Sequence, residues 1–195
     1  MNNTVSSVIH PDTPLGYAQS ACDTMMHRYA AADLPPKGHF HYHQGVFLSG
    51  VYKTYQLCGN KAYFSYMKDW IDSVFTADGK IKNFYNHADL DDIQPGILLF
   101  PLLEKTSNEK YRKCIESVAA QLPDVPLCKC GGMYHKISFT GQMWLGWSVH
   151  GRPFCRRICS EVQSPGVVGL YDKRDLPDAR PYPHSRDWTV AARMG

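Results

Sequence analysis

The six residues Cys58-Gly59-Asn60-Lys61-Ala62-Tyr63 recur as Thr106-Ser107-Asn108-Glu109-Lys110-Tyr111, an offset of 48 residues. Each copy reads as a tight turn that closes one helix and opens the next. Asn60 and Asn108 stand where an N-cap side chain accepts an amide hydrogen of the first turn. Helical hairpins repeated at this length belong to α-solenoids or to closed α/α toroids, in which stacked hairpins bury faces that none could bury alone. The expected fold class is all-α.

Outward from the first copy, Tyr63, Phe64, Met67, Trp70, Ile71 and Val74 recur at helical spacing to Phe75, and Asp78-Gly79 then makes a turn. Before it, Tyr42 to Leu57 places Val46, Phe47, Gly50, Val51 and Tyr55 on one face, with Gly45 and Gly50 small enough for close helix contact. Earlier still, Tyr17 to about Ala32 is helical through Ala21, Cys22, Met25, Met26 and Tyr29, and Pro35-Pro36 closes it. Before the second copy, a helix is expected from near Leu90 to Lys105, with Pro95 in its first turn and Pro101 as a kink. After it, Tyr111, Cys114, Ile115, Val118 and Leu122 form the apolar face of a fifth helix that Pro123 and Pro126 end.

Composition bounds the function classes. A chain of 195 residues with 44% hydrophobic and 12% aromatic content has ample material for a packed core. A net charge of +3 without a basic patch before the tail argues against a nucleic-acid partner. No basic leader followed by an apolar run opens the sequence and no apolar stretch is long enough to span a bilayer, so the expectation is a cytoplasmic protein with no membrane partner. Seven cysteines argue for reduced thiols rather than a disulfide framework. The Cys128/Cys130 pair has no matching second pair at zinc-site spacing, and no metal is expected there.

Chemistry concentrates between Gly131 and Gly146, where a glycine pair, His135-Lys136 and Gln142-Met143-Trp144-Leu145 put flexible backbone, titratable groups and a large aromatic close together. That is the make-up of a polar ligand pocket. His39, His41 and His43 alternate and would share one face of a strand. The preferred reading is a polar loop entering the second helix, since no fourth metal ligand is identifiable. Asp91-Asp92, taken alone, is an acidic pair favoured at a helix N-terminus.

Three motifs taken together resemble a known family: His41-Tyr42-His43-Gln44-Gly45-Val46-Phe47, then Leu90-Asp91-Asp92-Ile93-Gln94-Pro95-Gly96, then Gly131-Gly132-Met133-Tyr134-His135-Lys136 with Gln142-Met143-Trp144-Leu145. In this order they are similar to the unsaturated rhamnogalacturonyl hydrolases of glycoside hydrolase family 105, relatives of the unsaturated glucuronyl hydrolases of family 88. The resemblance implies the N-terminal half of a six-hairpin (α/α)6 barrel. It implies a substrate such as unsaturated galacturonyl-rhamnose, and it implies no cofactor. The implied reaction is hydration of a C4=C5 double bond: a carboxylic acid protonates C4, water adds at C5, and the hemiketal opens to release the neighbouring sugar. Asp91 would be the supporting carboxylate. His135 and Lys136 would contact the uronate, and Tyr42, His43 and Trp144 would line the sugar. The family's principal acid follows Gln-Met-Trp-Leu, where this chain has Gly146.

Beyond that point the sequence changes character. Residues 1 to 146 contain two Arg and eleven Lys, whereas 147 to 195 contain seven Arg and one Lys, and prolines interrupt every helical window. The expectation is a partial α/α-barrel domain over 1–146 and an irregular tail over 147–195 written in a shifted reading frame. Back-translation of Gly146-Trp147-Ser148 and the residues after it, read one base later, permits the family's Asp-Gly-Leu-Tyr-Met. A chain without the acid is expected to be catalytically inactive. The alternative from another class is a helical-hairpin module that binds a sugar or peptide without catalysis.

Overall fold

A computed structural model describes residues 12–84, 89–126, 133–139 and 151–158. In chain order it contains α1 (Pro14–Arg28), a 3-10 turn (Ala31–Asp33), α2 (Tyr42–Cys58), α3 (Lys61–Val74), two further 3-10 turns (Leu90–Asp92 and Gln94–Leu98), α4 (Leu99–Thr106) and α5 (Glu109–Ala119). The 3-10 turns Leu122–Asp124 and Ile137–Phe139 and the short helix α6 (Arg152–Arg157) follow. No described residue lies in a β-strand, isolated bridges such as Phe75–Ile81 and Asp89–Lys136 being the extent of β-structure there, so the fold is all-α. No helix among the described residues is long and apolar enough to cross a membrane.

The repeated hexapeptide makes the same junction twice. Gly59 (φ 73°) and Ser107 (φ 52°) both take the left-handed conformation that ends a helix. The next residue then caps: Asn60 Oδ1 accepts from the Ala62 amide at 3.0 Å, and Asn108 Oδ1 accepts from the Lys110 amide at 2.9 Å. The likeness extends to the anchors. Tyr63 and Tyr111 are both 1% exposed. Each sends its hydroxyl back to an aspartate of an earlier helix, Tyr63 to Asp23 Oδ1 at 2.8 Å and Tyr111 to Asp72 Oδ1 at 3.3 Å. Asp72 also receives Lys68 from its own helix and Lys110 from α5, each at 2.7 Å, and so fastens α3 to α5.

α3 turns Tyr63, Tyr66, Met67, Trp70, Ile71 and Val74 into the core, with Phe64 half-buried at its edge. Trp70 stacks on Phe40 with ring centroids 5.8 Å apart, and Phe75 meets Phe40 edge-on at 5.1 Å. α2 departs from expectation. It buries Gln44, Gly45, Leu48, Val51 and Thr54, while Val46 is 50% exposed and no atom approaches a side chain built at Gly50. Apolar residues surround this helix, so the period alone does not choose a face; contact with the Gln94–Leu98 turn chooses it. Gly45 is the contact point. A Cβ there would lie 1.9 Å from Gln94 Oε1 and 2.9 Å from Pro95 Cγ.

The expected single helix from Leu90 to Lys105 is instead two 3-10 turns leading into α4. Pro101 therefore falls in the first turn of α4, where no intrahelical amide bond is lost, and it needs no kink. Gly79 (φ 86°) sits where a Cβ would strike Lys113 at 2.6 Å, so the α3 turn lies directly on α5. Cys22 and Cys114 are buried and Cys58 half-buried, all as free thiols.

Within 147–195 the described residues are 151–158, of which Arg152–Arg157 form α6. Phe154, Cys155 and Ile158 are fully buried. The Phe154 ring lies 5.6 Å from that of Phe100 and fills the space over Gly96, where a Cβ would meet it at 2.5 Å. Arg157 pairs with Glu104 and lies over the Phe100 ring at 4.8 Å. The rest of the segment lies outside the described residues.

Candidate active site

Three parts of the chain converge on one carboxylate. Asp89 accepts the Asp91 amide on Oδ1 at 2.9 Å and so shapes the 3-10 turn that carries Leu90-Asp91-Asp92. The segment around residue 135 runs alongside, held by the Asp89–Lys136 bridge and by the Leu90 amide donating to the His135 carbonyl at 3.1 Å. The N-terminus of α2 supplies the third part, since Gly45 lets α2 settle against Gln94 and Pro95.

Asp91, 3% exposed, sits at the centre. Lys136 Nζ donates to Asp91 Oδ2 at 2.7 Å and lies 2.7 Å from Asp89 Oδ2. His135 Nε2 lies 3.4 Å from Asp91 Oδ1, and His41 Nε2 lies 3.8 Å from Asp91 Oδ2. His41 in turn meets His43, with their Nδ1 atoms 2.9 Å apart and their rings stacked at 4.8 Å. The Tyr42 ring packs on His43 at 4.1 Å. His39 is exposed and outside this group. The histidines thus belong to the entry of α2, as a polar loop would place them.

Charge in the cluster is uneven. Burial drives the Asp92 carboxyl up to about 7, and the neighbouring charges of Asp89 and Asp91 push the same way. Burial opposes a charged Lys136, but its hydrogen bonds to Asp89 and Asp91 outweigh that and raise it to about 12. Burial also holds His41 below the ordinary imidazole value against the upward pull of Asp91. Asp89, Asp91 and His135 bring ligand atoms within 4.8 Å of one another. The Lys136 ammonium supplies positive charge between the Asp89 and Asp91 carboxylates.

Of the residues the sequence points to, Asp91, His135, Lys136, Tyr42 and His43 lie in or beside this cluster. Trp144, Gly146 and the Cys128/Cys130 pair lie outside the described residues. Sequence reasoning missed Asp89 and the part played by His41. Asp89 precedes a motif that begins at Leu90, and His41 opens the motif His41–Phe47 without a role of its own in the sequence reading. An acid two residues before a buried acid is the signal that could have found the first.

The model of the family described as Glycosyl Hydrolase Family 88 matches residues 17–166. Among solved structures, a family 105 glycoside hydrolase from C. acetobutylicum is similar to this chain with a TM-score of 0.65 and 24% sequence identity. The likeness covers 74% of this chain and 40% of that one, so the chain spans less than half the length of the structure it matches. The family model's span takes in the segments that build the Asp91 cluster, and with more than half its length matched the chain belongs to glycosyl hydrolase family 88.

Proposed function

We propose that the Asp91 cluster is part of a site that hydrates the C4=C5 double bond of an unsaturated uronyl oligosaccharide, with a rhamnogalacturonan-derived disaccharide as the substrate. The observation that supports this reading is a buried carboxylate approached by an ammonium and two imidazoles, Lys136, His135 and His41. Hydration of a vinyl ether proceeds by general acid–base chemistry, without the paired acid and nucleophile of ordinary glycosidases. A carboxylic acid at position 146, where this chain has Gly146, would give its proton to C4. The attacking water loses its proton to Asp91 as its oxygen bonds C5, and the hemiketal opens to free the neighbouring sugar. Lys136 shares its charge between Asp91 and the substrate carboxylate, His135 orients Asp91 and meets the uronate, and Tyr42, His43 and Trp144 line the sugar.

Gly146 stands where the family's acid is expected, so the chain as written binds this substrate and does not turn it over. The test follows the ultraviolet absorbance of the conjugated double bond in unsaturated galacturonyl-rhamnose. The unaltered chain should leave it unchanged, and Gly146→Asp should raise the rate by about 10²-fold or more, the scale of a positioned general acid. Turnover by the unaltered chain, undiminished in Asp91→Asn, would overturn the reading. The shifted frame over 147–195 is tested separately by the codons for Leu145 to Phe154: codons that cannot yield Asp-Gly-Leu-Tyr-Met when read one base later exclude it.

A further inference from the structure

His41 and His43 form a hydrogen-bonded pair that runs from solvent to the buried acid. His43 is exposed, the His41 side chain is a quarter exposed (25%), and the Asp91 side chain is nearly covered (5%). The Nδ1···Nδ1 contact at 2.9 Å requires one ring to donate and the other to accept. If His41 donated, its Nε2 lone pair would face the Asp91 carboxylate across 3.8 Å. That arrangement is repulsive. With His43 donating, His41 carries its proton on Nε2, aimed at Asp91 Oδ2, and both contacts become favourable. The remaining atom, His43 Nε2, is then an unprotonated acceptor on the exposed ring.

The geometry points to His43 and His41 as a two-imidazole proton relay between solvent and Asp91. The transfers balance in three moves. A solvent proton bonds to His43 Nε2; the His43 Nδ1–H proton passes to His41 Nδ1; the His41 Nε2–H proton passes to Asp91 Oδ2. The last step needs His41 and Asp91 to close by about 1 Å from their present separation to reach hydrogen-bond distance. Both rings end neutral with their tautomers exchanged, and passage of a proton outward from Asp91 reverses every step. The charged and titratable groups acting on His41 are Asp91 and Asp89, which favour its protonation, and His43 and Lys136, which oppose it. His41 acts through Asp91 and is a positioning residue, whereas His43 joins that role to its place along the sugar. The relay rests on the reading of Asp91 as an acid–base group.

Imidazole nitrogen NMR of the full chain, through long-range proton–nitrogen correlations, tests it without any substrate. The expected result above the rings' titration is His43 in the uncommon Nδ1–H form and His41 in the Nε2–H form. His41→Phe should return His43 to a mixture dominated by Nε2–H, and Asp91→Asn should lower the pH at which His41 protonates. His43 in the Nε2–H form in the unaltered chain, or a His41 midpoint unmoved in Asp91→Asn, overturns the relay. Should His41→Phe fail to fold, His43→Phe serves instead: it should shift the His41 midpoint upward by removing an opposing neighbour, and an unmoved midpoint overturns the proposal. The proton positions are read whether or not unsaturated uronides are hydrated, so failure of the substrate reading leaves a distinct result.

Discussion

Replacing Asp92 by Asn should stabilise the protein, and by an amount that grows with pH. The carboxyl is buried and beside two other acids, which raises it from 3.8 to about 7. The sign follows from linkage. A carboxyl raised in the folded state is neutral in both states below its unfolded value, so there it carries no penalty. As pH climbs past that value the unfolded chain ionises while the folded one does not, and the penalty grows until it is complete above the folded value. A shift of about three units corresponds to ~4 kcal/mol at full extent, and to roughly 1–2 kcal/mol near pH 5. Asn keeps the shape and cannot ionise. Urea unfolding of both proteins should therefore show a gain for Asp92→Asn that is larger by about 2–3 kcal/mol near pH 8 than near pH 5. A gain equal at both pH values, or one that shrinks as pH rises, would refute the reasoning, because it would mean that Asp92 ionises in the folded protein as readily as in the unfolded one.

Phe154→Ala should cost about 3–5 kcal/mol by urea unfolding, since the ring is fully buried over Gly96 and against Phe100; a loss under ~1 kcal/mol would show that α6 does not hold its place. Gly45→Ala puts a methyl 1.9 Å from Gln94 Oε1 and should destabilise by about 1–3 kcal/mol. It should also widen the His41–Asp91 approach, visible as a change in the pH at which His41 protonates; an unchanged Tm and unchanged titration would contradict the packing. Asn60→Ala and Asn108→Ala, which remove equivalent caps, should each cost about 1 kcal/mol. If one proves silent in thermal unfolding while the other does not, the two junctions are not energetically alike.

The two junctions were legible because their signal is local. A left-handed residue followed by a capping asparagine is written in six adjacent residues, and nothing distant has to agree for it to form. The α3 and α5 faces were legible for a related reason: Trp70, Ile71, Tyr111 and Ile115 lie on stripes with polar residues opposite, so periodicity names the buried side. α2 had no such contrast, and the reading put Val46 inward although it is exposed. The 3-10 turns around Leu90–Leu98 were hidden because acidic start, Pro95 and apolar run are equally the marks of an α-helix. The site was legible as motifs, with Asp91, His135 and Lys136 picked out, while Asp89 and the His41–His43 contact were not.

By itself the sequence determined the all-α class, the positions of the helix junctions and the residue types that gather at the site, because capping, proline placement and amphipathic spacing act within a few residues along the chain. Tertiary structure alone decided that α2 lays Gly45 against Gln94 and Pro95, that Asp89 and Lys136 pair across the chain, and that Phe154 closes the core over Gly96. It also decided that Asp92 is raised and that His41 faces Asp91. The physical reason is the same in each case: burial and charge at a side chain depend on what other segments bring to it, and pattern along one segment carries no record of its neighbours in space.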